Sequence, residues 1–216
     1  MHLRHLLAAV IATGIAAHID SAAAQSRVDV HVLQYTGQGT EGQEQLAQVV
    51  HDNLLLLASQ ISGQARGATY VRSLKVISRP RERPGDLNAL RARWRQPNVL
   101  LMMWGNVATL GSRSVASSSI YLGDLAAPDR QLITTAQIDL SARNHGQIKD
   151  THSLAAAYAL LLDAERTRQP RSVMAAILSR LHVIRGQVRS GPLHNADLDE
   201  LDSSIARIAR ANGLPA

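Results

Sequence analysis

Apolar and polar residues alternate near residue 30 and then recur with the spacing of a helix. The valines of 28–32 are separated by polar residues, which predicts a strand with one buried face. From 46 to 61, aliphatic residues recur every three or four positions, which predicts an amphipathic helix that Gly63 ends. A glycine-rich turn at 36–40 is expected to join the two elements.

The middle of the chain predicts a short strand, a short helix and three further strands. A strand is expected at 74–77, and Asp86 can then cap a short helix that carries Leu90 and Trp94. Pro97 would end that helix. The remaining strands are predicted from apolar or alternating runs at 99–110, 114–122 and 132–140.

Beyond these strands the pattern becomes helical. Asn144-His145-Gly146 is typical of a turn, and two helices are predicted at 153–168 and 172–188. A last helix is expected at 197–210, where an acidic start and a basic end suit the helix dipole.

This order of elements predicts an α+β or α/β fold, with a mixed β-sheet and packed helices followed by a carboxyl-terminal helical segment. We expect an α/β sheet domain over 25–150, with the helices of 151–216 packed on it or appended to it.

The first 24 residues have the composition of a secretory signal peptide. Arg4 precedes an apolar run at 6–17, and Ala22-Ala23-Ala24 supplies the small residues that signal peptidase requires. The run is shorter than the roughly 20 residues that span a bilayer. We therefore expect cleavage before Gln25, and a periplasmic or secreted mature protein without a membrane span.

The amino-acid composition limits how this fold can be stabilised. The 216 residues contain no Cys and no Phe, so disulfides are excluded and the core has to be largely aliphatic. The net charge of +6 comes almost entirely from Arg, because only Lys75 and Lys149 are lysines. The mature length suits one domain.

Four stretches of the chain together resemble a known family. They are the strand at 28–36, the segment 74–79, the strand at 99–107 with Gly105, and 135–140 with Gln137-Ile138-Asp139. Their pattern resembles the amino-terminal domain of TolB-like periplasmic proteins and their curli-secretion relatives, over residues 28–165. Gln34-Tyr35 stands where that family has Pro-Phe. The resemblance implies a fold similar to that of anticodon-binding domains. It also implies a domain that binds a partner or takes part in an assembly, without catalysis of its own.

Gly37, Gly39 and Gly42 have the spacing of a dinucleotide-binding loop after the first strand. The carboxylates of Glu41 and Glu44 would repel a pyrophosphate at that helix start. The strand also alternates, whereas the buried parallel strands of dinucleotide-binding folds are continuously apolar. We interpret the glycines as a turn and expect no cofactor.

Two other groups of residues suggest chemistry but lack its geometry. His145, Asp150 and His152 lack the spacing of a metal site, and we interpret their segment as a solvated loop. Ser117-Ser118-Ser119 lacks a nucleophile elbow, and an alternating strand accounts for it. We assign no catalytic, metal-binding or cofactor-binding residue from the sequence.

A cluster of arginines is the feature that best suggests a ligand. It lies between residues 79 and 95 with only Glu82 and Asp86 as acidic neighbours. Arginine binds phosphate and carboxylate groups bidentately. Outside the cytoplasm such groups belong to lipid or glycan polymers of the envelope rather than to nucleic acid. The candidate anion-binding residues are Arg79, Arg81, Arg83, Arg91 and Arg95. Alternatively, the arginines form a solvated face whose stems cover apolar surface.

The sequence therefore favours an exported binding or assembly module without catalysis of its own, with another envelope protein as its partner. One alternative is an envelope hydrolase whose site residues the sequence does not identify. Another is an accessory protein that binds anionic lipid or glycan through the arginine cluster.

Overall fold

A computed structural model describes most of the chain beyond the predicted signal peptide. The described residues are 27–37, 40–64, 73–79, 81–96, 98–126, 131–140, 145–188 and 193–215. The predicted signal peptide of 1–24 and the cleavage site before Gln25 lie outside them.

A mixed sheet of six strands with five helices is seen in the described part of the chain, which confirms the predicted fold class. The elements are β1 (Arg27–Gly37), α1 (Thr40–Gln64), β2 (Ser73–Arg79), α2 (Leu87–Trp94), β3 (Val99–Leu110), β4 (Arg113–Tyr121), β5 (Leu132–Thr134), β6 (Ile138–Asp139), α3 (His145–Arg166), α4 (Arg171–Gln187) and α5 (Asn195–Ala211).

The strand order is β2-β1-β3-β4-β5, and β6 also pairs with β4. β1 runs parallel to both β2 and β3, while the pairs of β4 with β3, β5 and β6 are antiparallel. Because β2 and β3 lie on opposite sides of β1, right-handed connections place α1 and α2 on opposite faces of the sheet. Leu54 of α1 accordingly belongs to the main core, and Trp94 of α2 to a smaller core on the other face.

The main core lies between the sheet and helix α3. Val30, Leu101 and Ile120 of the sheet are fully buried there. From Thr151 to Ala164, every residue of α3 except the half-buried Tyr158 is buried, since the helix also packs against α1 and α4. A helix without a solvent-facing side is expected to be apolar all round, and the Ala- and Leu-rich sequence of 154–162 meets that requirement.

The bounds of two predicted turns are wrong, one at the end of β1 and one at the start of α3. β1 continues to Gly37, where the sequence predicted a turn from residue 36. Its pairing with β3 shifts register between Val32 and Tyr35, which carries Tyr35 to the main-core side. Gly37 has a φ of 142° and lies so close to the Val107 carbonyl that a side chain would collide with it. The local sequence pattern predicts neither the register shift nor the close approach of Gly37 to Val107.

Helix α3 begins at His145, so the segment predicted as a solvated loop forms its first two turns. Two polar residues of these turns, His152 and Ser153, are buried and hydrogen-bonded. Asn53 of α1 donates to Ser153 Oγ at 2.5 Å and to the Lys149 carbonyl at 2.9 Å. The buried His152 bonds to the Ile148 carbonyl within the same helix.

The predicted strand at 132–140 is divided into β5 and β6 by a short irregular segment. Thr135 explains the interruption. Its hydroxyl accepts from the Ser118 N–H at 2.8 Å, while its own N–H donates to the Ser118 carbonyl at 2.8 Å. The Thr135 hydroxyl thus takes the place of a backbone carbonyl as the acceptor for the Ser118 N–H of β4. Within the described ranges, no helix is long and apolar enough to cross a bilayer.

Candidate functional site

The arginine cluster is held on the second face of the sheet by helix α2. Asp86 caps this helix as predicted, its carboxylate accepting from the Ala89 N–H at 2.8 Å. Trp94 Nε1 donates to the Leu100 carbonyl at 3.1 Å, and its ring packs against Gly123, whose φ is 54°. Leu90 and Trp94 complete the smaller core with Leu33, Met102 and Tyr121. The helix is therefore anchored along one side.

We define the arginine face as the six arginines of this loop and helix: Arg79, Arg81, Arg83, Arg91, Arg93 and Arg95. Glu82 neutralises two of them, at 2.7 Å from Arg79 and 2.5 Å from Arg93. Burial would raise the pKa of Glu82, but the hydrogen bonds from these two guanidinium groups outweigh it and lower the pKa. The carboxylate therefore stays ionised and fixes the loop to the helix.

His31 lies beneath this ion-paired group, on the strand below it. Burial lowers the pKa of its imidazole, and the nearby charge of Arg79 lowers it further. The ring is therefore neutral, and its Nδ1 is buried without a hydrogen-bond partner among the described residues. The positive charge of the arginine face thus rests on the guanidinium groups and not on this histidine.

The other four arginines are exposed at the surface, and none of them pairs with a carboxylate among the described residues: Arg81, Arg83, Arg91 and Arg95. Arg83 Nε donates to Gln34 Oε1 at 2.9 Å, which leaves the rest of its guanidinium group accessible. The structure thus places the predicted anion-binding residues at the end of β2, on the loop that follows it, and on or just after α2. Their ability to bind an anion stays a prediction.

A polar cavity of about 250 Å³ adjoins the arginine face at the end of α2. Arg95 and Arg166 both line it, together with Gln96 and Asn98. The carboxylate of Asp163, which is 1% exposed, accepts from Arg166 Nη2 at 2.9 Å and orients that side chain. Asp163 also lines the cavity and neutralises Arg166, so Arg95 and the two amides are the groups there that suit anionic oxygen atoms.

A second cavity, of about 260 Å³, lies on the opposite face between the sheet, α3 and α5. Its floor is apolar and includes Ile120, Ile133 and Leu162. Asp197 and Glu200 of α5 stand on its rim. The sequence did not predict this cavity, because its walls come from segments that are distant along the chain.

Tyr35, Ser118 and His152 form a hydrogen-bonded triangle that sequence analysis also missed. The Tyr35 hydroxyl lies 3.1 Å from Ser118 Oγ and 3.0 Å from His152 Nε2, and Ser118 Oγ lies 2.9 Å from the same nitrogen. His152 Nδ1 is 2.6 Å from the Ile148 carbonyl, so it carries the proton and Nε2 accepts from a hydroxyl.

This triangle resembles a nucleophile and base, but it is sealed inside the core. The three side chains are 1%, 1% and 0% exposed, respectively. Burial lowers the pKa of His152 to about 4 and raises the pKa of Tyr35. The group therefore ties the sheet to α3 and does not meet a substrate. The inward register of Ser118 between Ala116 and Ile120 was the sequence signal for it.

The other residues considered in the sequence lie in regular elements where they are described. Gly37 ends a strand, Gly42 lies in the first turn of α1, and Gly39 lies outside the described residues. Burial raises the pKa of Asp150 in α3. No group of three or more His, Cys, Asp or Glu side chains that could hold a metal occurs in the described ranges.

Comparisons with known proteins identify no family for this chain. No protein-family model and no curated protein matches it. Among solved structures it is similar to the PelC L103M dodecamer from Paraburkholderia phytofirmans, at 10% identity and a TM-score of 0.24. That match covers 54% of this chain and 64% of the PelC chain, less than two thirds of its length. A similarity of this size carries no inference about fold or function.

Proposed function

We propose that this chain is an exported, periplasmic binding or assembly module without catalysis of its own, which contacts another envelope protein through the arginine face. The observation that carries the proposal is the exposure of four arginines on an anchored loop and helix. The pattern resemblance of residues 28–165 to TolB-like domains supports the same kind of role.

Anchoring makes this surface suitable for binding. The Asp86 cap and the buried Trp94 fix α2, and Glu82 joins the loop to that helix. A partner therefore meets arginines whose backbone positions are already set, which reduces the entropy lost on association. Planar guanidinium groups pair bidentately with carboxylates, so we expect the partner to present an acidic surface.

The sealed triangle favours binding over hydrolysis. Ser118 and His152 have the contact of a nucleophile and base, yet a substrate could reach neither without unfolding of the core. The exposed groups that carry the proposal are instead arginines, which stabilise bound anions and do not supply a nucleophile or a base at neutral pH.

The test compares two variants of equal charge on the mature chain. One carries Gln at the four exposed arginines of the arginine face: Arg81, Arg83, Arg91 and Arg95. The control carries Gln at four exposed basic residues elsewhere: Arg113, Lys149, Arg168 and Arg210. Each protein is immobilised, exposed to envelope extract, and its bound proteins are identified by mass spectrometry.

We expect a partner that wild type and control retain and that the arginine-face variant loses. Its retention should fall as salt is added, because screening lengths shrink to about 8 Å at physiological ionic strength. Equal retention by both variants would show that the arginine face is not the contact. Thermal unfolding of the three proteins checks that the substitutions leave the fold intact.

A second candidate function is binding of anionic lipid or glycan. The polar cavity favours it, because Arg95 lines it together with the amides of Gln96 and Asn98, beside the arginine face. Sedimentation with phosphatidylglycerol vesicles, phosphatidylcholine vesicles and lipopolysaccharide tests this function. Binding to the anionic samples that Arg95→Gln weakens and Arg113→Gln does not would support it. Failure of wild type to sediment with any of them at low salt would exclude it.

A further inference from the structure

The cavity on the α5 side has an apolar interior built from three elements. Ile120 of β4 and Ile133 of β5 form its floor. Ala155, Tyr158 and Leu162 of α3 also line it, and their spacing places them along one side of that helix. This interior favours a hydrocarbon or aromatic group over water.

Helix α5 supplies a polar wall over that interior. The lining residues of α5 recur at helical spacing: Asp197, Glu200, Leu201, Ser204 and Arg207. A neighbouring stripe that includes Leu198, Ile205 and Ile208 packs into the main core. One side of α5 therefore holds the helix in place, and the adjacent side leaves charged groups at the cavity.

The charges on this wall are not balanced. Arg207 is clamped by Glu165 through two hydrogen bonds of 2.8 and 3.0 Å. It also lies about 15 Å along the helix from Asp197, at 1.5 Å per residue. Among the described residues, neither Asp197 nor Glu200 has an ion-pair or side-chain hydrogen-bond partner. The end of the cavity near the start of α5 is therefore acidic.

The size of the cavity limits its occupant. Its volume of about 260 Å³ exceeds that of an engineered cavity of about 150 Å³ that binds benzene. It lies just below the range of about 300–1,000 Å³ that is usual for drug-sized ligands. By this scaling, an apolar body of about eight to ten heavy atoms fits.

From these features we infer that the cavity binds a small amphipathic cation, with its apolar body on the floor and an ammonium or guanidinium group beside Asp197 and Glu200. This site lies on the opposite face of the sheet from the arginine face, so it does not depend on the function proposed above.

The proposal is tested with three probes that share an eight-carbon chain: n-octylammonium, n-octanol and octanoate. Each is titrated into full mature protein labelled at Ile and Leu methyl groups, and shifts are followed by NMR. We expect saturable shifts at Ile120 and Ile133. We expect octylammonium to bind about tenfold more tightly than octanoate, because the carboxylates of Asp197 and Glu200 attract one head group and repel the other.

Two pairs of variants separate the roles of charge and shape. Asp197→Asn with Glu200→Gln should remove the preference for the cation while octanol still binds, and the control pair Asp52→Asn with Asp199→Asn should not. Ser204→Phe should fill the mouth and weaken binding of all three probes, whereas the exposed neighbour Ser203→Phe should not.

Each alternative result overturns the inference. If octanoate binds as tightly as octylammonium to the wild-type protein, the acidic rim does not select a cation. If the probes shift no methyl group of the cavity, or if Ser204→Phe leaves their binding unchanged, the cavity is not the site. Thermal unfolding curves of all four variants identify any that fail to fold, and the methyl shifts and the comparison of octylammonium with octanoate on the wild-type protein then keep the test decisive.

Discussion

Ser118 Oγ lies 2.9 Å from His152 Nε2, and the contact joins strand β4 to helix α3 inside the main core. Tyr35 of β1 completes the contact, so that three elements share one group of polar atoms. Buried polar groups of this kind stabilise a fold only when every member has a partner. The triangle therefore fixes the position of α3 on the sheet.

Removal of His152 should destabilise the protein. His152→Ala leaves the Tyr35 and Ser118 hydroxyls short of an acceptor and opens a cavity, so we expect a loss of about 3 kcal/mol in the free energy of unfolding. Urea unfolding monitored by circular dichroism measures it. The exposed His182 of α4 provides the control, since His182→Ala should change the free energy by less than about 0.5 kcal/mol. Equal effects of the two variants would contradict the structural role of the triangle.

Stability should fall as the pH is lowered through the titration of His152. Burial lowers the pKa of its imidazole from 6.5 to about 4, so the unfolded chain takes up the proton first. Stability is therefore complete above pH 6.5 and declines until about pH 4. The difference in pKa corresponds to about 3 kcal/mol.

Urea unfolding at several pH values measures this decline. In His152→Gln the decline between pH 6.5 and 4 should be smaller, leaving the contribution of the buried His31 and of the carboxylates. If the variant and wild type decline equally, His152 is not the group that titrates.

Adjacent leucines of α1 should respond very differently to truncation. Leu57 is 2% exposed and packs in the main core, whereas Leu56 is 55% exposed. Leu57→Ala should cost about 2–5 kcal/mol of stability, and Leu56→Ala less than about 0.5 kcal/mol. Chemical denaturation of both variants tests which side of the helix is buried. A loss of less than about 0.5 kcal/mol in the free energy of unfolding of Leu57→Ala would show that the side carrying Leu57 is not buried.

Export should yield a mature chain that begins at Gln25. Amino-terminal sequencing of protein from the periplasmic fraction tests this, and Ala24→Leu should accumulate precursor, because signal peptidase requires a small residue before the cut. Intact precursor beginning at Met1 in the cytosol of cells carrying the wild-type gene would contradict export.

The fold was predictable where local pattern decides the structure. β3 has the predicted bounds, 99–110. Its continuous apolar run is typical of a strand that is buried at the centre of a sheet. Asp86 was predictable as a cap because its bond to Ala89 spans three residues. The burial of the polar His152 and Ser153 in α3 was not, because they are hydrogen-bonded to Ser118 and Asn53, which are far away in sequence.

Of the candidate sites, one could be predicted from the sequence and one could not. The arginine face was predictable because its charges lie within one short segment, and the structure adds only their anchoring and the pairing with Glu82. The α5 cavity was not predictable, because it depends on how α5 lies over β4 and β5. In the sequence, the polar stripe of α5 has the pattern of an ordinary solvated side. Only the structure shows that Ile120 and Ile133 line the same cavity.

Helix α3 has almost no solvent-facing side, whereas α5 keeps one side in water. Backbone amides of α3 between 154 and 164 should therefore exchange with deuterium only when the whole domain opens, and those of α5 through a smaller, local opening. These α3 amides then belong, together with those of the buried central strands, to the slowest-exchanging part of the protein. The wall of the α5 cavity belongs to a part that opens more readily, which gives a ligand a path to the interior while the centre of the protein stays intact.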